Sequence, residues 1–451
     1  MAAYLQQRIC HPHHGIPISR PGTPDSDKTK KCSAPICNVA SKAKDVPFFT
    51  PAQDPPSGTA IRPSDGKEVP RLFTPLKIRG VTLPNRIWVS PMCQYSAHEG
   101  FHTPWHIAHY GGLVMRGPGL LMIEATAVQA NGRITPEDSG IWLDAHIDTL
   151  RKHVQFAHSQ NALIAIQLAH AGRKGSTVAP WLSSGATAVR QVNGWPDDVV
   201  GPSDEPFDEH YPTPRAMSIE EINQFKIDAV SAAVRAIEAG FDILELHFAH
   251  GYLVSTFLTP AVNKRTDQYG GSFENRTRLA IELVREVRKV MPEDMPLFVR
   301  ISATDWLEEN PDIPESWTCE DSIALAKILA REGVDVLDVS SGGNHAAQKI
   351  KGGPGYQAHF ARAIKEAVGD SLLVSAVGSI TDGKLAEKII TEGPGLDLIA
   401  SGRAFLKNPG LVWAWADDLG VEVNVAHQIG WGFGGRAGKK REYVKLEDLS
   451  K

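Results

Sequence analysis

The sequence is short of cysteine, of charge of one sign and of long apolar runs, and each shortage excludes a class of protein. Its 451 residues include five cysteines, Cys10, Cys32, Cys37, Cys93 and Cys319. An odd, scattered set argues against a disulfide framework. Lys and Arg total 47 against 52 Asp and Glu, a formal net charge of −5. No dominant basic surface follows, so nucleic acid is not an expected partner. Nowhere do roughly 18 uncharged apolar residues run together, so no membrane-spanning helix is expected. The opening MAAYLQQRICHPHH lacks the basic segment and apolar run of a secretory signal, and the expected location is the cytoplasm. Cys10, His11, His13 and His14 could touch a metal, but composition reads them as a solvated tail and no metal is expected.

What is present is an ordinary globular composition, 42% hydrophobic and 22% charged. Residues 1–70 are rich in Pro, Ser, Lys and Asp without a sustained apolar period. They read as a largely disordered N-terminal extension, with Val46 to Thr50 (VPFFT) a candidate for docking on the body. From Leu72 onward, β-branched runs alternate with amphipathic helical segments, the pattern of βα units around a parallel sheet. In the clearest unit, Ser218 and Glu221 form a capping box. Ile222, Phe225, Ala229, Ala232 and Ala236 keep one helical face, and Gly240 ends the helix.

The order helix, glycine, buried strand recurs in AGFDILEL (Ala239 to Leu246), EGVDVLDV (Glu332 to Val339) and EGPGLDLIAS (from Glu392). Similar runs give eight candidate strands, at 86–90, 120–127, 163–168, 243–248, 297–302, 335–340, 372–376 and 397–400. An open doubly wound sheet would carry a GxGxxG turn after an early strand, and none stands there. The fold class is therefore α/β, a (β/α)8 TIM barrel forming one domain over residues 71–420, with a C-terminal tail at 421–451.

In such a barrel the site is built from residues just past each strand. They are SPMCQY (Ser90 to Tyr95), EAT (Glu124 to Thr126), QLAHAGRK (Gln167 to Lys174), HFAHGY (His247 to Tyr252), Arg300, Ser340 to Gly343, Gly378, and Gly402 with Arg403. The last three groups are small or glycine-rich turns followed by an arginine. Singly they serve tight turns, but together they favour the phosphate of a cofactor. His247 and His250 both face inward only if the chain turns between them, as Gly251 implies. Two neutral imidazoles could stabilise charge building on one carbonyl or nitro oxygen. Zinc would need a third ligand that HFAHGY lacks, and a satisfied core histidine is the plainer reading of either alone. Tyr252 could donate a proton, or simply pack against its neighbours. Arg300, ending an apolar run, needs an anionic or strongly polar partner, which a flavin N1/O2 edge could be.

In order, these residues resemble the old yellow enzyme family of FMN-dependent ene-reductases, in its bacterial branch with a cysteine beside the flavin. The likeness covers about Leu72 to Pro409. Its most specific stretch is AHGYLVSTFLTPAVNKRTDQYGGSFENRTR (Ala249 to Arg278), and LFTPLKIRGVTLPNRI (Leu72 to Ile87) is a second block. The resemblance implies that Ser90, Pro91, Met92, Cys93, Ala125, Gln167 and Arg300 line the isoalloxazine ring, with Gln167 and Arg300 on its pyrimidine edge. It implies that Gly378, Gly402 and Arg403 hold the phosphate and that the Cys93 thiol tunes the flavin potential. Tyr95, His247 and His250 would clamp the substrate carbonyl, and Tyr252 would be the proton donor. The implied cycle is ping-pong: NADPH or NADH gives hydride to the flavin, which passes it to the β-carbon of an enone.

Two features depart from that branch. Its chain closes with an arginine before Gly-Trp that reaches the neighbouring subunit, whereas Ile429 stands here and Arg436 follows further on. A homodimer or higher homo-oligomer is the implied assembly. The segment from about Ser183 to Pro214, with Trp195, gives the rim its own character. The dienoyl-CoA reductase type is set aside, since no cysteine follows Cys319 to hold an iron–sulfur cluster. The rival functions are an FMN-dependent isomerase or oxidase of a biosynthetic pathway and a flavin-free barrel acting as a binding protein.

Overall fold

A computed structural model of the chain describes residues 40–434 and 442–449. Its centre is a closed barrel of eight parallel strands. They are β1 (Ile87–Val89), β2 (Leu120–Ala127), β3 (Ile164–Ala169), β4 (Ile243–Phe248), β5 (Leu297–Ser302), β6 (Val336–Ser340), β7 (Leu373–Ala376) and β8 (Leu398–Ser401). Each strand pairs with its neighbours in sequence, and β8 closes on β1. Every residue of β3, β4, β5, β6 and β8 is buried. Parallel strands covered on both faces require this, which is why they read as unbroken apolar runs in sequence.

The outer ring is α1 (Pro104–Val114), α2 (Ile147–Ser159), α3 (Ile219–Ala239), α4 (Phe273–Val290), α5 (Cys319–Arg331), α6 (Ala358–Val368), α7 (Gly383–Thr391) and α8 (Leu411–Leu419). In α3 the Ser218 hydroxyl accepts from the Glu221 N–H at 3.2 Å, and the Glu221 carboxylate accepts from the Ser218 N–H at 2.8 Å. Gly240 ends the helix at φ +97°. Ile222, Phe225, Ala229, Ala232 and Ala236 are buried as the periodicity predicts. Removing the cap with Ser218→Ala would cost about 1 kcal/mol.

An antiparallel ribbon of Leu76–Ile78 and Val81–Leu83 lays Ile78 and Leu83 against the lowest interior layer, where Trp88, Leu120, Ile243, Phe298, Val336 and Leu398 meet. In the described part of the N-terminal extension the structure differs from the disorder expected there. Residues 1–39, with Cys10 and its histidines, lie outside the described residues. Residues 41–70 are laid down well beyond Val46 to Thr50. Ala60 pairs with Val423 and Ile61 with Tyr443, and the amide of buried Asn85 donates to Gly58 O and Gly117 O at 3.1 and 2.9 Å. Hydrogen bonds anchor this segment, and its buried apolar side chains, Ala43, Val46 and Ala60, follow no regular period, so apolar periodicity could not reveal it.

Candidate active site

The upper mouth opens into a cavity of about 790 Å³ lined by Ser90, Pro91, Met92, Cys93, Tyr95, Ala125, Gln167, His247, His250, Tyr252, Arg300, Gly378, Gly402 and Arg403. Every residue that the resemblance assigns to cofactor or substrate therefore faces one space. The alternation of barrel strands does most of this. On β4, Ile243 joins the apolar bottom layer, while Glu245 and His247 stand above it on the same face. A bulge between Ile123 and Ala125 breaks the alternation of β2. It turns Ala125 to the cavity and sends Glu124 towards α1, where the Tyr110 hydroxyl donates to it at 2.5 Å. The other oxygen of Glu124 accepts the Gln94 N–H at 3.1 Å, anchoring the chain beside Cys93.

The turn predicted between His247 and His250 is made by His250 at φ +63° and Gly251 at φ +73°. A Cβ on Gly251 would lie 2.0 Å from Gly343 O, so only glycine lets the turns after β4 and β6 approach this closely. Three rings then gather edge to face. Centroids of His247 and His250 are 5.2 Å apart, His247 and Tyr252 5.0 Å, and His250 and Tyr252 6.5 Å. The ring of His250 is fixed by Ser340 Oγ at 2.7 Å. Nδ1 of His247 is buried without a partner. Burial, reinforced by the Arg300 charge, pushes both imidazoles well below the ordinary histidine range, so they are neutral. Burial likewise raises the Tyr252 and Tyr95 phenols and the Cys93 thiol, with Asp138 and Glu124 adding to the rise at Cys93. Tyr95 packs edge to face on Trp181 at 5.7 Å, and Trp181 is 68% exposed at the rim.

Arg300 has a partner that sequence reading did not supply. Its Nε lies 3.1 Å from Asp338 Oδ2 on the adjacent strand, and its Nη1 donates to Ser90 Oγ at 3.0 Å. The amide of Gln167 donates to Glu245 Oε1 at 2.7 Å. Asp338 and Glu245 are both fully buried. Their signal in sequence was a lone acid inside each apolar run, ILELHF and VLDVS. Tyr356 and Gln357 also line the cavity. They lie well past β6, beyond the Ser340 to Gly343 turn, where a rule confined to residues just past each strand does not reach.

These residues suit a phosphorylated, planar, polar-edged cofactor. A Cβ on Gly378, at φ +118°, would lie 2.6 Å from the Gln357 amide, so only glycine fits at this point of the cavity wall. Among the described residues Arg403 forms no ion pair and is exposed at the cavity wall, a cation free for a phosphate. Nδ1 of His247, Nε of Arg300 and Oε2 of Glu245 are buried without hydrogen-bond partners. Residues 71–420 match the model of the NADH:flavin oxidoreductase / NADH oxidase family.

The chain belongs to that family. It is 52% identical over 408 residues to an NADH:flavin oxidoreductase of Gibberella zeae, covering 89% of this chain and 97% of the relative. Against an NADPH dehydrogenase of Bacillus subtilis it is 43% identical over 365 residues, 80% of this chain and 99% of the relative. Among solved structures it is similar to morphinone reductase, with a TM-score of 0.64, 27% identity, and coverage of 79% of this chain and 91% of that one. The chain is thus an FMN-dependent enzyme of the old yellow enzyme type that uses a nicotinamide nucleotide. No helix among its described residues is long and apolar enough to cross a membrane. Arg436, which follows Ile429 further along the chain, lies outside the described residues.

Proposed function

We propose that the enzyme reduces the C=C bond of α,β-unsaturated carbonyl or nitro compounds. The observation that carries this reading is the cluster of His247, His250 and Tyr252 on one cavity wall. Conjugate reduction builds negative charge on the carbonyl or nitro oxygen, and preorganised neutral donors stabilise it most where water is excluded. Each neutral imidazole has one N–H to offer, and Tyr95, which lines the same cavity, completes the grip on that oxygen. Tyr252, its phenol held protonated by burial, delivers the proton that the α-carbon needs.

The floor serves the cofactor. Ser90, Pro91, Met92, Cys93, Ala125, Gln167 and Arg300 hold the ring, and Gly378, Gly402 and Arg403 hold the phosphate. When bound, FMN supplies the two-electron relay between nicotinamide and substrate. The test is the mass of the product formed from 2-cyclohexenone and NADPH without oxygen. A gain of two hydrogens is expected. A product of unchanged mass would point to an isomerase and overturn the reading.

A further inference from the structure

Beneath the cavity floor, three ionisable side chains on adjacent strands make up a polar layer: Glu245 on β4, Arg300 on β5 and Asp338 on β6, with Asp338 in register with Arg300 and Glu245 one inward-facing position lower. The carboxyls are fully buried and Arg300 is 6% exposed. Below them the barrel is apolar, with Ile243, Phe298 and Val336 in the next layer. Two carboxyl groups therefore face a single guanidinium out of contact with bulk solvent.

The hydrogen bonding is as unbalanced as the charge. Glu245 Oε1 accepts from Gln167, whereas Glu245 Oε2 and both Asp338 oxygens lack a hydrogen-bond partner. Asp338 meets Arg300 at 3.1 Å with its N–H aimed elsewhere, since Nε of Arg300 is also without a hydrogen bond. A second buried negative charge with no cation of its own is costly, and a carboxyl so placed keeps its proton instead. Other groups facing the layer do not change this count. Gln167 from β3, Ser375 from β7 and Trp88 from β1 are uncharged, with Trp88 donating to Ser375 at 2.9 Å, and His247 above is neutral.

We propose that Glu245 and Asp338 act as one acid that shares a single proton, and that this pair sets the charge which Gln167 and Arg300 present to the flavin. Each of the two residues assigned to the pyrimidine edge is backed by one member of the pair, Gln167 by Glu245 and Arg300 by Asp338. With the proton retained, the layer is neutral as a whole and Arg300 is left to offset negative charge arriving above it. With the proton lost, the layer carries a net negative charge directly below the ring. Burial raises both carboxyls above their ordinary range, and the mutual repulsion of the pair adds to the rise at Glu245. Glu245 and Asp338 are thus positioning residues, acting on the cofactor through Gln167 and Arg300. The inference rests on the placement of the flavin edge at those two residues.

Infrared spectroscopy of the flavin-loaded enzyme tests it. The wild type is expected to show a protonated carboxyl C=O band that shifts in D2O and disappears as the pH becomes alkaline. Glu245→Gln, which keeps the bond from Gln167, should lose that band, because Asp338 alone with Arg300 ionises. Asp338→Asn, leaving Glu245 alone with Arg300, should lose it too. Absence of the band in the wild type, which needs no variant to fold, overturns the shared proton and leaves the flavin placement standing. The second readout is the flavin midpoint potential in a dye-coupled titration. It should lie higher in Glu245→Gln than in the wild type above the pH at which the band is lost, and the gap should close below it. A band that behaves as expected beside equal potentials would overturn the placement of the flavin edge over the pair.

Discussion

Lys174 donates one hydrogen bond to the carbonyl oxygen of His250 at 2.9 Å and another to that of Gly343 at 2.6 Å. It ties the turn after β4 to the turn after β6, and so holds His250 and Tyr252 over the cavity. The desolvation of its ammonium, with Arg173 nearby, lowers its pKa from 10.5 to about 7. Below pH 7 both folded and unfolded chains carry this proton, and the burial penalty is in full force. Between 7 and 10.5 the unfolded chain holds a proton that the folded chain has released, so stability rises with pH across that window. Lys174→Met should remove this rise, on the order of 2 kcal/mol after discounting for partial exposure, in denaturant titrations at pH 7 and 10. Equal pH dependence in the two proteins would contradict it.

Tyr252→Phe removes the proposed proton donor while keeping the ring that packs on His247. Enone reduction should slow by about 10²–10⁴-fold, with bleaching of the flavin by NADPH unchanged in stopped flow. Slowing of both half-reactions alike would point to a packing role instead.

His247→Leu should cost about 10²–10³ in the rate of enone reduction, the range for one oxyanion donor. Because burial keeps both imidazoles neutral far below the usual range, the wild-type rate should show no inflection near pH 6.5. An inflection there that vanishes in His247→Leu would mean an imidazolium is the working form.

Arg403→Leu deletes the exposed cation assigned to the phosphate. FMN affinity, followed by flavin fluorescence during titration of the apoprotein, should fall about 10- to 100-fold, the value of one or two charge-assisted hydrogen bonds. Riboflavin, which lacks the phosphate, should bind both proteins alike; an equal loss for the two ligands would move the phosphate elsewhere.

Tyr110→Phe leaves an oxygen of buried Glu124 without its donor. A loss of about 1–3 kcal/mol in unfolding free energy is expected, and an unchanged melt would show that another group satisfies the carboxylate.

The eight strands were legible because burial on both faces writes them as unbroken apolar runs, and the helix ends because Ser218 and Gly240 have stereochemical reasons to stand there. The barrel rule then gathered residues as distant as Cys93 and Arg403. Illegible were features that depend on register. Glu124 and Ala125 read as equivalent until the bulge sends one out and one in. Asp338 becomes the partner of Arg300 only once β5 and β6 are aligned. The segment at 41–70 escaped because residues such as Gln53, which bonds Gln428 Oε1 at 2.9 Å and accepts from His427 N at 3.0 Å, anchor it by polar contacts.

The most direct measurement is an anaerobic absorbance titration of the purified enzyme, first with NADPH and then with 2-cyclohexenone. The account predicts flavin bands that bleach with one equivalent of NADPH and return with one equivalent of enone. Bands that bleach and stay bleached would contradict it.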